Sequence, residues 1–298
     1  MYLQHFGLMR APFEMTPDPA FLYLGDSHQE GLATLVYGVR ARKGFVMLTG
    51  EVGTGKTTLL HALLSRLDPK TAAAFVFNPL LGPLDFFRVL FDEFDIQVPC
   101  TTKAEYLIAF NKFLIDRLER DHPTLLIVDE AQKLSAEMLE EIRLLSNLET
   151  PTSKLLQIML VGQPELEEML QQRELRQLRQ RIVLRFRLRP FDADETEHYV
   201  QERMRLAGYT GKGVFKRGAL RRLHHVTEGI PRLINVVCDG ALLLCYSSGR
   251  ATVDAGDVDE VARDLCIGVR DEGDGNSNAA AVAAPKGRWR SRLRSIFR

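Results

Sequence analysis

The stretch Gly50-Glu51-Val52-Gly53-Thr54-Gly55-Lys56-Thr57-Thr58 limits what this chain can fold into more than any other. Phe45-Val46-Met47-Leu48-Thr49 before it reads as a buried strand, and Thr58-Leu59-Leu60-His61-Ala62-Leu63-Leu64 opens a helix. The turn between them fits G-x-x-x-x-G-K-[ST], in which glycines let the backbone fold closely around a polyphosphate. The loop N–H groups point inward, and the N-terminus of the following helix adds a dipole that favours negative charge. In this reading residues 50–58 cradle ATP, Lys56 reaches the β- and γ-phosphates, and Thr57 ligates Mg²⁺.

A second element lies 73 residues beyond Lys56. Thr124-Leu125-Leu126-Ile127-Val128-Asp129-Glu130 is an apolar run ending in two acids, the pattern of a central parallel strand whose C-terminal end carries function. Asp129 would hold Mg²⁺, partly through its water shell, because this hard cation prefers oxygen ligands and keeps several waters. Glu130 is placed to polarise an attacking water. On its own Asp-Glu after a strand is a solvated strand end; paired with the phosphate loop it points to hydrolysis.

Apolar runs alternate with helical patterns along the chain, which predicts an α/β fold with a parallel sheet flanked by helices. Strands are expected at Phe45–Thr49, Ala73–Phe77, Leu125–Asp129, Leu156–Val161 and Ile182–Leu188, with helices from Asp85 to Phe94, from Glu105 to Leu118, and from Glu137 to Leu148 behind a Ser135 cap. After Pro190 the pattern is helical only: Ala193 to Leu206, Arg217 to Val226, Pro231 to Ser247 and Asp254 to Leu265 form a small all-helical unit. The expected organisation is an N-terminal segment, residues 1–43, packing on the core; a core over 44–190; a helical lid over 191–268; a flexible linker over 269–285; and a basic tail over 286–298.

With 298 residues, 45% hydrophobic and 26% charged, the chain can bury a sizeable core in about two domains. No uninterrupted apolar run reaches 18 residues, and Met1-Tyr2-Leu3-Gln4-His5-Phe6 lacks the features of a secretory signal, so residence on the cytoplasmic side is expected. Cys100, Cys238, Cys245 and Cys266 form no C-x-x-C pair, which argues against a zinc site or a disulfide framework.

Several stretches together resemble one family. They are Met1-Tyr2, Phe6-Gly7-Leu8, Pro12-Phe13, Thr16-Pro17-Asp18-Pro19 and Phe21-Leu22-Tyr23, then Leu48 through Thr58, Asp129-Glu130-Ala131-Gln132, Leu160 through Leu166, Leu178 through Ile182, and Gly229-Ile230-Pro231-Arg232-Leu233-Ile234-Asn235. The likeness, over about residues 1 to 267, is to the ATPase domain of the general secretion pathway protein A family, an AAA+ relative. Related ATPases serve exosortase-associated polysaccharide systems and transposition. The resemblance implies that Gln163, just past a core strand, senses the γ-phosphate, although many AAA+ relatives carry Asn there. It implies that Arg232, after Gly-Ile-Pro, is a second sensor reaching the phosphates from the lid. Family members commonly continue into a membrane span and a peptidoglycan-binding part, and cell-wall binding is not carried over to these residues.

Arg173, Arg176, Arg179, Arg181, Arg185, Arg187 and Arg189 are opposed locally only by Glu174. Such a run is commonly a solvated face. A ring ATPase also needs an arginine donated across a subunit boundary, for which Arg179 and Arg181 are the candidates, implying a homo-oligomer. Residues 286–298 hold six cations and no acids, and the remainder carries 33 basic and 39 acidic groups. On a helix Trp289, Leu293, Ile296 and Phe297 form one apolar stripe flanked by arginines, suited to an anionic inner-membrane surface or a membrane-protein partner; the alternative is a disordered basic tail. The favoured function is an ATP-hydrolysing motor or switch, peripheral at the inner membrane, in secretion or envelope assembly. A nucleic-acid-associated helper of the transposition type and a nucleotide-gated scaffold are the alternatives, the first weakened by the acidic body.

Overall fold

The computed structural model describes residues 2–15, 21–77, 82–150 and 153–267. Helices α1 (Tyr2–His5) and α2 (Asp26–Arg40) precede strand β1 (Phe45–Gly50). Then come α3 (Lys56–Leu64), β2 (Ala72–Val76), α4 (Pro83–Glu93), α5 (Lys103–Glu119), β3 (Thr124–Val128), α6 (Ala136–Leu145) and β4 (Gln157–Gly162). Short helices α7 (Glu165–Met169) and α8 (Arg176–Arg181) lead to β5 (Ile182–Leu188). Four helices complete the described chain: α9 (Ala193–Leu206), α10 (Arg217–Thr227), α11 (Pro231–Ser247) and α12 (Ala255–Asp264). These form two compact units, one over Asp26–Arg189 and the other joining residues up to Gly25 with those from Pro190 onward.

The first unit is built on a five-stranded parallel sheet in the order β2-β3-β4-β1-β5. β1, β3 and β4 are buried along their whole length, as their continuous apolar runs require of strands covered on both faces. One face meets the aromatic stripes of α4 and α5, where Phe86, Phe87, Phe91, Tyr106 and Phe110 pack on Met47, Val76, Val128 and Leu160. Phe91 and Tyr106 meet edge to face with centroids 4.8 Å apart. Each such buried ring contributes roughly 1.5–3 kcal/mol through area removed from water. The Thr102 and Glu105 side chains form a capping box that fixes the start of α5, and Ser135 caps α6 as expected.

The edge strand β5 alternates: Ile182 and Leu188 are buried while Val183, Arg185 and Arg187 are exposed. α2 packs against β5 and α3 through a face that buries Leu32, Leu35 and Val39. Arginine on the open face of an edge strand discourages pairing with another chain, so part of the arginine run has a solvated role. Sequence periodicity located all five strands to within one residue at each end, but it did not single out α2. Gly31 and Gly38 lower the helix propensity of that segment.

The second unit is helical. α9 to α12 enclose Val200, Leu223, Ile234, Val237, Leu242, Val258 and Val261, and capping boxes at Asp192 and Asp254 start α9 and α12. Phe6, Leu8, Phe13 and Phe21 belong to this same cluster. Residues 1–43, expected as one segment packing on the core, divide between the two units. Residues up to Gly25 are part of the helical unit, and only α2 and the turn after it belong with the strands. The reason lies in Arg203 of α9, whose Nε donates to the Pro12 carbonyl at 2.5 Å and whose guanidinium carbon lies 4.8 Å from the Phe21 ring centroid. The linker and tail, 269–285 and 286–298, lie outside the described residues.

Candidate nucleotide-binding site

β1 ends at Gly50, paired with Leu188 of β5, and the chain then turns through five residues into α3. Thr54 is fully buried, and its N–H and hydroxyl both donate to the Glu51 carbonyl, at 3.3 and 2.9 Å. Gly55 caps α3 with φ 98° and ψ 21°, a left-handed conformation that a side chain would strain. No side chain caps α3, so its first N–H groups remain available to an anion, as the motif requires. Glu51, Val52 and Thr57 are exposed, while Gly53 and Thr58 are half-buried.

Lys56 is 9% exposed, and its ammonium donates to the carbonyls of Gly50 at 2.7 Å and Glu51 at 3.1 Å. These two oxygens occupy the donors that phosphate oxygens would take. Burial pushes the Lys56 pKa down, and the carboxylates of Asp129, Glu130, Glu51 and Glu165 oppose that shift. The loop thus presents a partly desolvated cation poised for a stronger anionic partner.

Because all strands are parallel, their C-terminal ends share one edge, where α/β sheets place ligands. Thr49 pairs with Gly162 and Val128 with Leu160, which sets Asp129 and Gln163 along the edge that carries the loop. Asp129 is 8% exposed; its N–H donates to the Val76 carbonyl at 3.0 Å, and its Oδ1 accepts the Glu130 N–H at 2.8 Å. Burial raises the Asp129 pKa, against the lowering effect of that N–H and of Lys56. Such a carboxylate gains from a cation. With the Thr57 hydroxyl it offers the oxygen donors that suit Mg²⁺, an ion needing few protein ligands.

Glu130 adopts a left-handed conformation with φ 53°, and a short 3₁₀ turn, Ala131–Lys133, follows. Lys133 pairs with Glu130 Oε2 at 3.0 Å, and the Gln132 side-chain amide donates to the same oxygen at 2.9 Å. The Lys133 bond holds the Glu130 carboxyl below its ordinary value, against the opposing effect of burial. Gln163 is half-buried, and its backbone N–H donates to Gln132 Oε1 at 3.1 Å.

Among the described residues Arg179 and Arg181 bond partners outside this cluster. Arg179 donates to Gln171 Oε1 at 2.5 Å and Arg181 to the Ser146 hydroxyl at 2.8 Å, neutral partners in both cases. Arg232 is exposed in the first turn of α11, in the helical unit. Sequence reasoning gave no role to two residues that the structure places at the site. His28 of α2, 2% exposed, bonds the Thr54 carbonyl through Nε2 at 2.9 Å, and Gln132 bridges Glu130 and residue 163. Gln132 stands in a stretch that carries the family likeness, and neither residue lies in a spacing with a known chemical meaning.

A family model described as an AAA domain matches residues 39–170. The general secretion pathway protein A of Aeromonas hydrophila is 42% identical over 297 residues, a match covering 97% of this chain and 54% of that protein. The chain therefore spans about half the length of this curated relative. Among solved structures, the Aeropyrum pernix ORC2 protein in ADPNP-ADP complexes superposes with TM-score 0.62 at 18% identity, over 85% of this chain and 71% of that one. Drosophila ORC bound to DNA gives 0.66 at 15% identity, over 88% and 66%, and the Thermotoga maritima RuvB branch migration motor gives 0.51 at 16%, over 81% and 70%. At these identities the structures speak to fold alone. Residues 39–170 thus carry an AAA domain, and over nearly its whole length the chain is similar in sequence to general secretion pathway protein A.

Proposed function

We propose that this protein hydrolyses ATP with Mg²⁺ and uses the cycle as a motor or switch at the cytoplasmic face of the inner membrane, in secretion or envelope assembly. The observation that carries the reading is the buried Lys56 ammonium, held on two loop carbonyls beside the carboxylates of Asp129 and Glu130. ATP phosphates entering the loop take over the Lys56 donors and the N–H groups that open α3. Mg²⁺, when bound by Thr57 and Asp129, supplies neutralisation of phosphate charge. Glu130 polarises the attacking water, and Gln163 reports the γ-phosphate at the strand end. The likeness to general secretion pathway protein A supports the secretion setting. Among the described residues no helix is long and apolar enough to cross a membrane. The cations of residues 286–298, with Trp289, Leu293, Ile296 and Phe297 at helical spacing, support the membrane-facing reading.

Self-association accompanies this reading, with Arg179 or Arg181 completing a neighbouring subunit's site. The neutral bond of Arg179 to Gln171 leaves its guanidinium charge available to an anionic phosphate, whereas Arg181, bonded to the Ser146 hydroxyl, also acts on the Glu140 carboxylate. The deciding experiment compares Mg·ATP binding and hydrolysis by wild type and Glu130→Gln, and sedimentation with anionic vesicles against duplex DNA, with and without residues 286–298. Binding retained but turnover lost in Glu130→Gln, with vesicle association dependent on the tail, is the expected result. Stimulation by DNA alone, indifferent to the tail, would replace the membrane reading with that of a nucleic-acid helper. Tight binding with equal, negligible turnover in both proteins would leave a nucleotide-gated scaffold.

A further inference from the structure

The Gln132 side chain bonds both the Glu130 carboxylate, just past β3, and the backbone N–H of residue 163, just past β4. We propose that Gln132 is a positioning residue that ties the Glu130 carboxylate to the end of β4 and so fixes where the water-polarising group stands. The inference rests on the hydrolytic reading above and names a residue that acts through Glu130.

Chemistry fixes the orientation of this amide. A carboxylate can only accept and a backbone N–H can only donate, so Nε2 must face Glu130 and Oε1 must face residue 163, as the 2.9 and 3.1 Å contacts show. No other uncharged side chain of this length could satisfy both partners. The backbone is shaped to deliver it: Glu130 is left-handed, a conformation that costs a non-glycine residue about 1–2 kcal/mol, and the 3₁₀ turn that follows carries Gln132 back over the sheet end. The sensor strand in turn leaves space. A Cβ on Gly162 would stand 2.7 Å from Gln132 Oε1, so the amide lies where only glycine lets it approach. Lys133 also bonds Glu130 but is more than half exposed, and it makes no bond to β4 that would relate the acid to the sensor.

A carboxylate so tied cannot swing freely. Misplacement of a reacting group by about 1 Å can cost about 100-fold in rate, whereas phosphate and Mg²⁺ contacts made by residues 50–58 and Asp129 do not pass through this amide. Loss of Gln132 should slow the chemical step and leave ATP affinity alone.

The test uses the full chain. Mg·ATP affinity is measured by titration calorimetry, and hydrolysis by single turnover with enzyme in excess, for wild type, Gln132→Met, Gln132→Glu, Glu130→Gln and the double variant Glu130→Gln/Gln132→Met. Gln132→Met keeps length and loses both bonds; Gln132→Glu keeps an acceptor for the residue 163 N–H but sets a carboxylate against Glu130. Both are expected to bind Mg·ATP within about 2-fold of wild type and to hydrolyse it about 10- to 100-fold more slowly. Because Gln132 acts through Glu130, the double variant should be no slower than Glu130→Gln alone. An unchanged single-turnover rate in either Gln132 variant, a loss of affinity matching the loss of rate, or the same fold-loss in both Glu130 backgrounds would overturn the proposal. If Glu130→Gln itself hydrolyses at the wild-type rate, the assignment of the water-polarising acid fails first, and the role of Gln132 falls with it.

Discussion

Gly55→Ala separates the two physical demands that the phosphate loop makes on its backbone. At φ 98° and ψ 21° an alanine would occupy the left-handed region, at a cost of about 1–2 kcal/mol. Its Cβ would also stand 3.0 Å from Nε2 of His28, a buried ring held by its bond to the Thr54 carbonyl, and crowding of that kind costs about 1–3 kcal/mol. The total is about 3 kcal/mol, which corresponds to about 100-fold in a dissociation constant. If the loop escapes the strain when no nucleotide is bound, the whole cost appears in Mg·ATP affinity. If it cannot escape, the cost appears as lower thermal stability, about 2–4 °C per kcal/mol for a unit of this size. Titration calorimetry and scanning calorimetry on the same samples therefore measure complementary parts of one quantity. His28→Ala removes the crowding and not the backbone strain, so the substitution should cost about 1 kcal/mol less in that background. A Gly55→Ala protein with wild-type affinity and wild-type melting temperature would refute this account of the loop.

Lys56→Ala should weaken Mg·ATP binding by at least about 100-fold, read by calorimetry, because the buried ammonium that bonds the Gly50 and Glu51 carbonyls would no longer be there to exchange them for phosphate oxygens. If an arginine acts across a subunit boundary, specific activity should fall on dilution, and Arg179→Ala or Arg181→Ala should lower turnover without changing affinity; a flat dilution series with normal variants would exclude both. Arg232→Ala is expected to slow hydrolysis in the same assay while the melting temperature stays unchanged, as its exposure allows. In the helical unit, burial would raise the Asp257 carboxyl, but bonds from Arg250 at 2.5 and 2.9 Å and from the Asp254 N–H outweigh it and hold the carboxyl below its ordinary value. A lowered folded value means that this contribution is full above the ordinary carboxylate pKa and is lost as pH falls through the folded one. The stability gap between wild type and Arg250→Ala, about 1–2 kcal/mol near pH 6, should therefore shrink below about pH 4 in denaturant titrations.

Much of the site was legible because its chemistry is local in sequence. A loop that must turn sharply, bind an anion and open a helix leaves glycines, a lysine and a hydroxyl at fixed offsets, so residues 50–58 announce themselves. Asp129 and Glu130 were legible only through their pairing with that loop, since two acids after an apolar run are on their own an ordinary solvated strand end. His28 and Gln132 had no such signature. Each acts through one side chain against backbone far away in sequence, 26 residues for His28 to Thr54 and 31 for Gln132 to Gln163. A lone histidine at the start of a helix, or a glutamine two residues past an acid, reads as an ordinary polar residue until the sheet brings the partners together. The strands were found by their apolar runs, and the edge strand β5, expected over Ile182–Leu188, also carries part of the arginine run on its exposed positions.

The N-terminal segment shows where continuity of the chain misleads. Residues 2–25 precede α2 and β1 directly, and by proximity in sequence they belong with the sheet. Their composition offers no period to correct this, being rich in Pro, Phe and Gly without helical or strand spacing. The accounting of polar groups decides otherwise. Arg203 is 7% exposed, so its guanidinium must find acceptors within the fold, and it finds the Pro12 carbonyl at 2.5 Å, the Tyr199 hydroxyl at 2.8 Å and the Glu14 carbonyl at 3.5 Å. The Tyr199 hydroxyl in turn donates to Asn235 Oδ1 at 2.9 Å, which joins α9 to α11 in the same network. A buried cation satisfied by carbonyls from residues 12 and 14 makes that segment structural to the helices, and Phe6, Leu8, Phe13 and Phe21 then fill the space around it. The signal was present in the sequence only as Tyr199 and Arg203, four apart on the buried stripe of an amphipathic helix. A cation on such a stripe requires acceptors from outside its own helix, and here the start of the chain supplies two of them.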